Sequence, residues 1–104
     1  MQPNNQQICL SGEEALAILS EINLVMISLR SIGDAYLNGG LEYERETTRF
    51  IDEWKVTARL ANARKILSGK FDKTLGADEM DDEERAAELL PYWTSINSRA
   101  PSSQ

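Results

Sequence analysis

Carboxylates are the densest chemically capable groups in this sequence: Asp78, Glu79, Asp81, Asp82, Glu83 and Glu84 crowd together, and Glu88 follows. Oxygen donors of this kind are what magnesium or calcium selects. The calcium-loop register fails, because with Asp72 at position one and Glu83 at position twelve, Thr74 and Gly76 occupy ligand positions and Ala77 stands where glycine is required. A helical carboxylate-metal hydrolase would need acidic i,i+3 pairs converging from separate helices. Glu79 with Asp82 offers one such pair, and the first two helices supply no second. The remaining reading is a solvated first helical turn whose acids favour the helix dipole.

Other catalytic chemistries are excluded by composition. The chain has no histidine, which removes Ser-His-Asp and Cys-His nucleophiles and histidine-based metal sites. Cys9 is the sole cysteine, so the chain forms no internal disulfide or thiolate cluster, as suits an intracellular protein. No phosphate-cradling glycine motif occurs. Accordingly no catalytic, cofactor-binding or metal-binding residue is assigned, and no cofactor is expected.

Eleven Lys and Arg against 17 Asp and Glu give a net charge of −6, which opposes binding to nucleic acid or anionic lipid. Residues 54–71 carry Lys55, Arg59, Arg64, Lys65 and Lys70 with no acid, but on a helical wheel Lys55 and Arg59 share a side while Arg64 and Lys65 lie elsewhere. Pairing with the acidic 78–88 stretch accounts for them better than a nucleic-acid face. Tyr43, Phe50 and Trp54 recur at helical spacing and read as core, whereas Tyr92 and Trp93, beyond Pro91, are candidate partner anchors.

These residues need helices to position them. Met1 to Leu10 reads as a polar N-terminal tail. Ser11 and Glu14 form a capping-box pattern that opens a first helix over about 12–37, and Ala15, Ile18, Ile22, Val25, Leu29, Ile32 and Tyr36 form its seam. Asn38-Gly39-Gly40 reverses the chain. A second helix over about 41–68 carries Tyr43, Thr47, Phe50, Trp54, Ala58 and Ala61 on its main stripe and ends at Gly69. Asp78 caps a third helix to Leu90, and Pro91 starts a final turn through Ile96. Residues 98–104 read as a C-terminal tail, leaving one helical domain over 11–97. The apolar run from Ala15 to Leu29 is shorter than the roughly 20 residues a membrane span needs, and no signal peptide is visible. A cytoplasmic protein with no membrane partner is expected.

The fold class is thus all-α: a long antiparallel two-helix hairpin plus a shorter C-terminal helix. Both long helices are apolar on a second side, with Leu16, Leu24 and Ile27 on the first and Val56, Leu60, Ala63 and Leu67 on the second. One short helix cannot cover both, so a homodimer that completes a bundle is expected. Function follows by elimination: a small acidic protein–protein interaction module, regulatory or adaptor, with itself and one further protein as partners. Its interaction candidates are Leu16, Leu24, Ile27, Val56, Leu60, Leu67, Tyr92 and Trp93. The competing expectation is an acidic inhibitor of the immunity or antitoxin type that uses 78–88 against a basic partner, and the carboxylate-metal hydrolase is third.

Overall fold

The computed structural model describes residues 1–94. Its elements are a 3-10 turn at Pro3–Asn5 and four α-helices, α1 (Gly12–Ala35), α2 (Leu41–Glu53), α3 (Val56–Ser68) and α4 (Asp82–Glu88). No strand occurs among the described residues, so the fold is all-α.

The capping box opens α1, with the Glu14 N–H donating to Ser11 Oγ at 3.0 Å and the Ser11 N–H to the Glu14 carboxylate at 2.9 Å. The helix stops short of Leu37 because Tyr36 leaves the helical region and its carbonyl accepts from the Gly39 N–H at 2.9 Å. Gly39 and Gly40 take φ values of 69° and 93°, which a side chain would resist.

The single helix expected over 41–68 is in fact two. Lys55 separates them in the left-handed region, at φ 51° and ψ 50°, a conformation that costs a non-glycine residue roughly 1–2 kcal/mol. Arg59 offsets that cost. Its Nε donates to the Trp54 carbonyl at 2.8 Å, and its guanidinium lies 5.7 Å from the Trp54 ring centroid. The break also resets the helical phase. Before it, Thr47 and Phe50 are half-buried, but Tyr43 and Trp54, expected as core, are exposed because that stripe does not continue into α3; after it, Val56 and Ala63 are buried while Ala58 and Ala61 are exposed. Of the second apolar stripe of the expected helix, Val56 and Ala63 therefore form the core face of α3 and Leu67 is half-buried, while Leu60 is exposed.

Later boundaries shift as well. Gly69 is right-handed and not a left-handed cap, and the Lys73 ammonium holds the Ser68 carbonyl at 2.7 Å. Asp81, not Asp78, caps α4: it exchanges hydrogen bonds with Glu84 at 2.8 and 3.1 Å, the complete Asp-x-x-Glu box that Asp78 lacks. Asp78 sits in a tight turn closed by the Gly76 N–H on the Met80 carbonyl at 2.8 Å. Pro91 to Thr94 form no helical turn; Ile96 and the tail at 98–104 lie outside the described residues.

The helices make a thin layer measuring 48 × 41 × 19 Å, with a radius of gyration of 17.9 Å where a compact chain of this length has about 13 Å. α1 packs mainly on α3 and less on α2. The enclosed apolar core consists of Ile18, Val56 and Ala63.

Candidate interaction surface

The face α1 turns to its neighbours is only partly the expected seam: Ile18, Val25 and Ile32 are shared, Ala15 and Tyr36 are half-buried as well, and Ile22 and Leu29 are exposed. Ile18 is buried on it, and Glu14, Glu21, Val25, Ser28 and Ile32 are half-buried, a rotation of about 50° at 100° per residue. Two ion pairs fix this rotation: Glu21 with Arg59 of α3 at 3.0 Å, and Glu14 with Lys70 at 2.7 Å. Turning the expected seam inward would carry both glutamates away from these cations.

The rotation leaves part of that seam open. Its Ile22 and Leu29 are 37 and 39% exposed, and Leu19 and Met26 beside them are 50 and 61% exposed. With the half-buried Ala15 and Gly33 at either end they follow alternating spacings of four and three, the repeat of a helix–helix seam. A Cβ built on Gly33 would meet nothing within 4 Å.

The residues singled out from sequence divide three ways. Leu16, Ile27, Leu60, Tyr92 and Trp93 are exposed, and the Tyr92 hydroxyl donates to the Ala87 carbonyl at 3.0 Å. Leu24 and Leu67 are half-buried. Val56 is buried between α1 and α3 and is a core residue, not an interaction residue, because the break at Lys55 turns it inward. Leu67 lines an open cleft of about 560 Å³ between α3 and α4, with Phe71, Ala87, Leu90 and Tyr92 around it and Met1 at its edge.

The other end of the molecule is closed by polar contacts. The expected loose tail is pinned by Asn5, which is buried. Its Oδ1 accepts from the Asp72 N–H at 2.6 Å, while its Nδ2 donates to the Asp72 carbonyl at 3.0 Å and to Asp82 Oδ2 at 2.7 Å. The side chain thus pairs with a backbone peptide as a neighbouring strand would. The Gln2 N–H also donates to Asp82, at 2.8 Å. Arg85 is the hub of the acidic stretch, reaching Asp78 at 2.7 Å through two nitrogens, Asp82 at 2.8 Å and the Met80 carbonyl at 3.0 Å. Glu83 pairs with Lys73 at 2.9 Å and Arg64 at 3.7 Å.

These bonds favour the ionised carboxylates. Hydrogen bonds from Arg85 hold Asp78 well below the usual carboxylate range, and those from Asn5 and then Gln2 lower Asp82. Glu83 is lowered by Ser68 and Lys73, and Arg85 is raised by Asp78 and Asp82. Asp78, Asp81, Asp82, Glu83 and Glu84 are thereby all engaged within the chain. Among the described residues no three His, Cys, Asp or Glu side chains are grouped to hold a metal ion.

Sequence reasoning missed Asn5 and Arg85. A lone cation amid seven acids was a usable signal for Arg85; a single asparagine in a polar segment gave none for Asn5. By length and composition α1 is apolar enough to cross a membrane, a property it shares with core helices and signal sequences. No family model, curated protein or solved structure matches the chain.

Proposed function

We propose that this chain is a non-enzymatic, cytoplasmic protein–protein interaction module, regulatory or adaptor in role, that works as a homodimer and engages one further protein. In this reading α1 and the α2–α3 pair form an antiparallel hairpin, and a second copy completes the bundle. One observation carries it: the chain exposes 8361 Å², where a compact monomer of 11.7 kDa exposes about 5,900 Å². The surplus, about 2,500 Å², is of the size one subunit contributes to a large obligate interface. Leu16, Leu19, Met26 and Ile27 of α1 are among the exposed large hydrophobic residues, and exposed apolar patches mark contact sites.

The engaged acids argue for this reading over an acidic inhibitor, because carboxylates tied to Arg85, Lys73 and Asn5 must give up those partners to meet a toxin. Asp78, Asp81, Asp82, Glu83 and Glu84, each held by a partner within the chain, also argue against a metal hydrolase. The ion pairs of Glu14 and Glu21 favour α1 as a helix of a water-soluble bundle over a lipid-facing one.

Sedimentation equilibrium at micromolar concentration tests the reading, with a dimer mass expected. A clean monomer under those conditions overturns it.

A further inference from the structure

We propose that the open stripe of α1 is occupied by α1 of a second copy, running antiparallel across a two-fold axis level with Leu24. This rests on the homodimer reading above and specifies which surface forms it and in what register.

The occupant follows from the spacing and the exposed area. Leu19, Ile22, Met26 and Leu29 form a seam along a 24-residue helix, open to solvent and free of charge. Such a seam wants another helix with the same repeat, and the chain's own α2 and α3 are already on the neighbouring face. The stripe lies about 100° round α1 from the face packed on α3, at 100° per residue. That is close to the right angle between the two neighbours of a corner helix in a four-helix bundle. Two copies joined through α1 would place each α1 at such a corner.

The register follows from side-chain size. An antiparallel seam pairs each position with one at the opposite phase of the repeat. Centring the pair on Leu24 sets Leu19 of one copy against Leu29 of the other, Ile22 against Met26, and Ala15 against Gly33 at each end. Large residues then meet large ones and the two smallest meet each other. Sliding by one heptad half-step sets Ala15 against Met26 or Ile22 against Gly33, and shortens the seam. Antiparallel packing also separates the Glu13 carboxylates of the two copies by about 33 Å, at 1.5 Å rise per residue, whereas parallel packing would place the two acidic first turns and both helix dipoles side by side.

Single-cysteine variants of the full chain test this. On a Cys9→Ser background, which removes the exposed native thiol, Leu19→Cys and Leu29→Cys are made separately, checked for a dimer by sedimentation, and oxidised mildly. In the proposed register each new cysteine stands about 15 Å from its own copy along the axis, beyond the roughly 7 Å Cα separation a disulfide spans. Neither variant should therefore link to itself, whereas a mixture refolded together should yield a disulfide-linked heterodimer. Self-linking of either variant alone means a parallel seam and overturns the inference. A sedimenting dimer whose mixture does not link places the interface elsewhere: the inference then fails while the homodimer reading stands. A Cys9→Ser monomer removes both.

Discussion

The end where the N-terminus meets α4 and the outer side of α1 present opposite solutions to the same problem of unsatisfied groups. At the first, buried and half-buried polar atoms find partners within the chain: Asn5 satisfies a peptide of the 69–81 loop, and Arg85 gathers Asp78, Asp82 and the Met80 carbonyl. On α1, Leu19, Ile22, Met26 and Leu29 are covered only in part by their own subunit and stay 37 to 61% exposed. Polar groups can be satisfied by a few directed bonds from a short segment, whereas apolar area is covered only by bulk. A thin four-helix chain has enough of the former and too little of the latter.

Adjacent residues of α1 give the sharpest way to break this contrast. Ile18 is buried on α3 and Leu19 beside it is half open. Ile18→Ala should cost about 2–4 kcal/mol in urea unfolding. Leu19→Ala should change the unfolding of dilute protein by no more than about 0.5 kcal/mol and act on self-association, read as a larger dissociation constant by sedimentation. Equal unfolding effects would mean that the two faces are not distinct.

The polar end is tested by Asn5→Ala, which strips the Asp72 N–H and carbonyl of their partner at a buried position. A loss of about 2 kcal/mol is expected, together with faster hydrogen exchange at the Asp72 amide. A change of a few tenths would make the N-terminal segment an ornament and not a clasp. Smaller again is Arg59→Ala, expected to lose about 1–2 kcal/mol because it removes the bonds to the Trp54 carbonyl and to Glu21. Lys55→Gly has the opposite sign: it relieves the left-handed strain at Lys55 and should raise stability by up to about 1 kcal/mol. A loss on Lys55→Gly would show that the two helices rejoin in solution.

How much of this was legible in the sequence differs between the same regions. The Ser11–Glu14 box and the paired glycines at 39 and 40 are local signals and placed α1 and its turn within a few residues. The break at Lys55 has no glycine or proline to announce it, yet it left a trace: the apolar stripe of the second helix changes phase between Trp54 and Val56. A helix with two stripes in succession along its length is a broken helix, whereas α1, with two stripes side by side over the same residues, is genuinely two-faced. The rotation of α1 was hidden because it is set by Glu14 and Glu21 finding Lys70 and Arg59, partners 56 and 38 residues away. Asn5 was hidden for the same reason, since its partners, Asp72 in the loop and Asp82 at the start of α4, are 67 and 77 residues away and no local pattern encodes their approach.

Acid should separate the two regions with the smallest perturbation. Asp78 and Asp82 are held below the ordinary carboxylate range, by Arg85 and by Asn5 with Gln2 respectively. A carboxylate whose folded-state value lies below its unfolded one binds fewer protons folded than unfolded, so its contribution is fully present above about pH 4 and is lost as pH falls through the folded value. With no histidine in the chain, no imidazole titrates between that range and neutrality. The α4 resonances and the Asp72 amide should therefore hold steady from pH 7 to about pH 4.5 and loosen below. The effect is modest because these groups are solvent-screened, and added salt should blunt it. The stripe of Leu19, Ile22, Met26 and Leu29 contains no titratable group, so contacts it makes have no carboxylate of their own to lose. If α4 instead loosened between pH 7 and 5, the closure of that end would have to rest on something other than the Asp78 and Asp82 carboxylates.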